Sequence, residues 1–142
     1  MKKSSQGAAA LNRLRKLCLS LPETTEKEAW ETPTFRVRGK MFAMFVDDYH
    51  GDGRIGIWCK APLGYQSMLV DADPKRYFVP PYVGHKGWIG MRLDLSPDWK
   101  EVAAVVEDAY RVTAPAKLAA AFAAGGDEVA KPVAAKRRSR SA

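Results

Sequence analysis

Residues 34–47 read TFRVRGKMFAMFVD, and this stretch decides the fold class. Phe35 and Val37 alternate with Arg36 and Arg38, and Gly39-Lys40 then interrupts before the apolar run Met41 to Val46. A period of two on either side of a glycine predicts an antiparallel hairpin, with Arg38-Gly39-Lys40 as its turn. Past the polar loop 47–53, residues 54–60 continue as a third strand. Residues 77–79 make a short fourth strand that Pro80-Pro81 must end, because proline donates nothing to a ladder, and residues 88–95 make a fifth. Upstream, Ala10, Leu11, Leu14, Leu17, Cys18 and Leu21 recur at helical spacing opposite Asn12, Arg13 and Lys16. Pro62 opens a short helix with Tyr65, Met68, Leu69 and Ala72 on one face. Ser96 is placed to cap a last long helix with Pro97 in its first turn. Val102, Val105, Val106, Ala109 and Val112 form that helix's apolar face, while Lys100, Glu107 and Arg111 point away. The order helix, three strands, helix, two strands, helix predicts an α+β protein built on one antiparallel sheet of about five strands.

The chain of 142 residues suits one domain, and 46% hydrophobic residues with four Trp, five Tyr and five Phe can fill its core. No apolar run approaches the roughly 20 residues that cross a bilayer, and Met1-Lys2-Lys3 leads into no signal-like apolar segment, so a cytoplasmic location without membrane association is expected. The formal net charge is +7, but it is unevenly placed. Residues 11–126 hold 16 bases against 14 acids, whereas residues 127–142 hold Lys131, Lys136, Arg137, Arg138 and Arg140 against Asp127 and Glu128. The expected organisation is a short flexible arm (residues 1–6), one domain (7–124) and a flexible basic tail (125–142).

Strand alternation sorts the residues that could carry chemistry. With Ile55, Ile57 and Cys59 facing the core, Arg54, Trp58 and Lys60 face away, and likewise Trp88 and Arg92 oppose Ile89, Met91 and Leu93. An exposed sheet face bearing Arg36, Arg38, Arg54, Lys60 and Arg92 beside Trp58 and Trp88 would suit nucleic acid, since bases neutralise phosphates and aromatic rings stack on nucleobases. In that reading Lys40, His85 and Lys86 join from the hairpin loops. The alternative is a small-molecule or peptide pocket between sheet and loops, lined by Trp58, Tyr65, Tyr82, His85 and Trp88. A third possibility is that Trp58 and Trp88 are covered by a loop or a partner. Cys18 and Cys59 fall on apolar faces and read as packing residues, with no spacing that suggests a metal site. No nucleophile elbow, phosphate loop or dinucleotide fingerprint is present, so no catalytic set and no cofactor are expected.

Three stretches carry a family resemblance: LCLSLPETTEKEAWETPTFRVRGKMFAMF, then Trp58-Cys59-Lys60-Ala61-Pro62, then DPKRYFVPPYVGHKGW over residues 73–88, continuing through Arg92-Leu93-Asp94 to Ala114-Pro115. In this order they resemble the MmcQ/YjbR family over about residues 11–120. The resemblance implies a two-layer α+β fold of frataxin-like or double-wing type, with a twisted antiparallel sheet and helices on one side. It also implies a DNA-binding label that rests on fold analogy. It attaches no catalytic residues, and the basic tail goes beyond the family core.

Overall fold

The computed structural model describes residues 5–125. Six strands, β1 (Thr24–Ala29), β2 (Thr32–Val37), β3 (Lys40–Asp47), β4 (Ile55–Cys59), β5 (Tyr77–Phe78) and β6 (Ile89–Arg92), combine with helices α1 (Ser5–Leu19), α2 (Tyr65–Ala72), α3 (Trp99–Thr113) and α4 (Ala116–Gly125). The strands form one antiparallel sheet in the order β1-β2-β3-β4-β6-β5. The α+β class therefore stands, with one strand more than the alternation predicts.

The predicted hairpin is β2-β3. Val37 pairs with Lys40 across Arg38 (φ 50°) and Gly39 (φ 81°), and positive φ at both turn residues matches the right-handed twist of the strands. A bulge follows where the register shifts between Phe35 and Arg36, so Phe35 pairs with Ala43 while Arg36 pairs with Met41. The extra residue is Phe42, which lets adjacent Phe42 and Ala43 both enter the same core.

The additional strand is β1. Its sequence, TTEKEA, has no apolar alternation because it is an edge strand with little to bury, and charged side chains on an edge also discourage pairing with other chains. The β1-β2 turn is Trp30-Glu31, both at positive φ (52° and 64°), a conformation that usually selects Asn-Gly. Neither signal that reveals a hairpin in sequence is present there.

The main core lies between the sheet and the helices. Leu11, Leu14 and Cys18 of α1 and Val102, Val106, Ala109 and Tyr110 of α3 pack on Phe35, Val37, Phe42, Phe45, Ile57 and Met91. The Tyr110 hydroxyl donates to the Pro22 carbonyl at 2.8 Å, tying α3 to the segment after α1. Two expectations for α3 are corrected. Its N-cap is Asp98, whose side chain accepts from the Lys100 amide, because Ser96 takes a left-handed turn conformation (φ 52°) before the helix begins. Glu107 is buried and Val112 exposed, so the apolar stripe is rotated from its predicted position, and burial raises the Glu107 carboxyl pKa above its ordinary value.

Cys18 and Cys59 are free and buried, and burial pushes both thiols up, away from the reactive thiolate. Among the described residues no helix is long and apolar enough to cross a membrane, and no three His, Cys, Asp or Glu residues gather as a metal site. The tail bases Lys131, Lys136, Arg137, Arg138 and Arg140 lie outside the described residues.

Candidate ligand-binding site

On the sheet face opposite the main core, strand pairing aligns one residue from each of four neighbouring strands: Met44, Trp58, Gly90 and Phe78. Gly90 is required in this row. A Cβ there would sit 2.3 Å from the Phe78 ring, so only the missing side chain lets that ring lie across β6. Met44, Val46, Trp58 and Trp88 form a second buried cluster, with Met41, Tyr49, Phe78 and Val83 packed against it.

Loops cover this cluster without filling it. A cavity of about 280 Å³ remains, walled by Trp58, Trp88, Tyr49, Met41, Met44 and Val83, with Trp30 and Tyr82 completing it. Trp58 and Trp88 are 2% and 6% exposed, whereas Trp30 and Tyr82 are 62% and 67% exposed, so the first pair belongs to the floor and the second to the rim. Tyr49 meets Trp58 edge to face at 5.1 Å between centroids. Outside it, His50 lies 4.2 Å from the Tyr49 ring and 6.3 Å from that of Tyr82. Burial, followed by the neighbouring Tyr82, raises the Tyr49 hydroxyl pKa.

The walls come from separate parts of the chain: the β1-β2 turn, β3, the 3₁₀ turn Tyr49–Gly51, β4 and the segment before β6. Gln66 of α2 secures the last of these, donating to the Gly84 carbonyl at 2.8 Å and the Trp88 carbonyl at 2.7 Å. The indole N–H of Trp58 is buried and meets no hydrogen-bond partner among the described residues.

Of the pocket residues expected from sequence, Trp58, Tyr82 and Trp88 come together at this cavity, and Tyr65 and His85 do not line it. His85 belongs with Lys86 to a 3₁₀ turn on a more open groove, beside Ala61, Leu63, Gln66 and Ser67. Trp30, Tyr49, Met41, Met44 and Val83 were not expected. Trp30 and Tyr49 sit in turns whose place depends on the unpredicted β1 and on a left-handed bend at Asp48 and His50.

The expected stacking face is corrected. Arg36 and Trp58 do share the outer side with Met41 and Met44, but Trp58 and Trp88 are covered because loop residues fold over them. Several bases are engaged within the fold. Arg38 makes two bonds to Glu23 at 2.6 and 3.1 Å, Arg92 makes two to Asp94 at 3.0 and 2.8 Å, and the Arg54 guanidinium lies 4.1 Å from the Phe78 ring centroid. Arg36 is half-buried and donates to the Thr34 hydroxyl at 3.2 Å, while Lys40, Lys60, His85 and Lys86 are exposed.

A family model described as YjbR matches residues 19–112, from the end of α1 through nearly all of α3 and including every cavity residue. The chain belongs to the YjbR family. This YjbR chain is also similar in fold to the crystal structure of Deinococcus radiodurans protein DR2400, with the family-model domain DUF419. The TM-score is 0.62 at 21% identity, covering 72% of this chain and 76% of that one. No curated protein matches.

Proposed function

We propose that this YjbR protein is a small-molecule-binding module whose ligand occupies the aromatic cavity. The observation that carries the reading is a space of about 280 Å³ with five aromatic residues around it. Aromatic and apolar walls with few polar groups are what ligand pockets offer, and the volume, near the lower end of their range, favours a compact molecule over a peptide. Backbone strain supports the same reading. Of eight non-glycine residues at positive φ among the described residues, Trp30, Glu31, Asp48, His50 and Tyr82 border the cavity or adjoin its walls. Left-handed conformations at bulky residues are costly and cluster where side chains must be held in place for function. The test is a screen of small ring compounds against the protein's tryptophan fluorescence and indole N–H resonances, repeated on Met44→Trp, which fills the space. Hits that perturb Trp58 and Trp88 and are lost in a folded Met44→Trp variant are expected; no response from any ring compound in the parent protein would overturn the reading.

A second reading, contact with a nucleic-acid backbone, has its own supporting observation. Lys40 begins β3, and the Lys60 amide donates to Phe42 at 3.0 Å, while Cys59 pairs with Ile89, three residues after Lys86. Strand register thus brings these three exposed lysines to one end of the sheet. If they grip DNA phosphates, Lys86→Ala should weaken binding across sequences and lower the salt slope by about one. Loss of all binding on deleting residues 126–142 would leave no role for the folded domain.

A further inference from the structure

We infer that the ligand of the aromatic cavity carries a quaternary ammonium group, a permanent cation without N–H donors. This rests on the reading of the cavity as a ligand site and specifies its chemistry. Three of the chain's four tryptophans, Trp30, Trp58 and Trp88, line the space with Tyr49 and Tyr82, and Met41, Met44 and Val83 complete it. No Phe, Leu or Ile is among these walls, whereas the main core on the other side of the sheet is filled by Phe35, Phe42, Phe45, Leu14 and Ile57. A site selective only for apolar bulk would be served equally by those residue types. Electron-rich ring faces attract cations as well, indole most strongly. Tyr49 stands at 82° to Trp58, so these two walls form a corner rather than a parallel slot, which suits a tetrahedral head better than a flat ring.

The walls also sort among cations. Neither Lys nor Arg lines the space, so no wall side chain repels positive charge. A primary ammonium needs acceptors for three N–H groups, and apart from weakly accepting thioethers the wall side chains offer only the hydroxyls of Tyr49 and Tyr82. A quaternary ammonium has no N–H to satisfy. Glu31 and Asp48 flank Trp30 and Tyr49 in sequence, while Lys40 flanks Met41 and Arg36 pairs with it, so two acids offset two bases and the rings decide. Burying a charge without a counter-ion is costly, but Trp30 and Tyr82 at the rim are largely exposed, so the cation keeps part of its water. At roughly 30 Å³ per water the cavity of about 280 Å³ equals about nine waters, room for a trimethylammonium head with one ring attached.

Phenyltrimethylammonium and tert-butylbenzene provide the test, being matched in shape and differing in charge. Both are titrated into the isotope-labelled full chain and followed through the indole N–H resonances, in the parent protein and in Trp30→Leu/Tyr82→Leu, which keeps the rim apolar but removes two rings. Comparing the ratio of the two affinities between proteins cancels the unequal hydration of the ligands. The double variant should cut the relative affinity of phenyltrimethylammonium by about tenfold, the worth of two cation–π contacts at a partly exposed site. Replacing the tryptophans by 5-fluorotryptophan, which draws electron density from the indole face with little change of shape, should lower the cation's affinity and leave that of tert-butylbenzene unchanged. This readout decides the matter if the double variant does not fold. If both compounds bind but their ratio is the same in every protein, or if tert-butylbenzene alone binds, the charge assignment is wrong and the cavity remains a ligand site. If neither these nor any other ring compound binds, the reading of the cavity itself fails.

Discussion

Gln66 offers a sharp test of how the cavity wall is held. Its side-chain amide donates to the carbonyls of Gly84 and Trp88 at 2.8 and 2.7 Å, one at each end of the turn that separates the aromatic cavity from the open groove. Gln66→Ala removes both bonds. A hydrogen bond contributes a net 0.5–1.5 kcal/mol or so, with a further cost if its buried partner stays unpaired. Because the groove beside Gly84 is open, water can reach part of what is lost, and the expected destabilisation is about 2 kcal/mol. For a domain of this size that lowers Tm by roughly 6–12 °C. The second readout is local: amide exchange at Lys86, Gly87 and Trp88, whose N–H groups bond within this turn, should accelerate more than exchange in the β3-β4 ladder. Gln66→Glu sharpens the test, since a carboxylate cannot donate to either carbonyl, whereas its protonated form can donate to one. Its stability relative to Gln66→Ala should therefore recover as pH falls. Unchanged Tm and unchanged exchange in Gln66→Ala would refute the role assigned to these bonds.

Three further outcomes follow from the packing. Gly90→Ala must push the Phe78 ring off β6, costing about 1–3 kcal/mol in urea titration, and the penalty should shrink in a Phe78→Ala background; equal penalties in both backgrounds would count against the contact. Burial raises the Glu107 carboxyl pKa, so the folded state holds that proton more tightly than the unfolded chain and stability falls as pH rises from the ordinary glutamate value through the raised one. Glu107→Gln should accordingly be more stable than the parent at neutral pH, with the advantage shrinking as pH falls through the raised value and gone below the ordinary glutamate value of about 4, and parallel stability–pH curves would defeat this. Tyr110→Phe, which removes the donor to Pro22, should cost about 1 kcal/mol while leaving the spectrum of the outer-face tryptophans unaltered.

Much of the fold is legible where side-chain period and turn chemistry agree. Phe35, Val37 and the Arg38-Gly39 turn announce the β2-β3 hairpin, and Leu11, Leu14 and Cys18 announce α1. β1 escapes because an edge strand made of Thr, Glu and Lys buries no alternating face, and because Trp30-Glu31 adopts a turn that these residue types rarely adopt. Glu107 escapes for another reason. Helical spacing ranks it as a solvent residue by type, while the packing of α3 places its position inside.

By itself, then, the sequence determined the α+β class, the central hairpin, the side of the sheet to which Trp58 and Ile57 each belong, and the inert character of the two cysteines. These depend on local period and on which residue types water rejects. Whether Trp58 is a stacking surface or a cavity wall was decided only by the tertiary structure, because alternation assigns a residue to a face and says nothing of what covers that face. The same holds for the charges: Arg38 and Arg92 read as free bases until the fold sets Glu23 and Asp94 against them. The cavity itself exists only in three dimensions, where the register of six strands carries Trp30, Tyr49 and Tyr82 from separate turns to its edge.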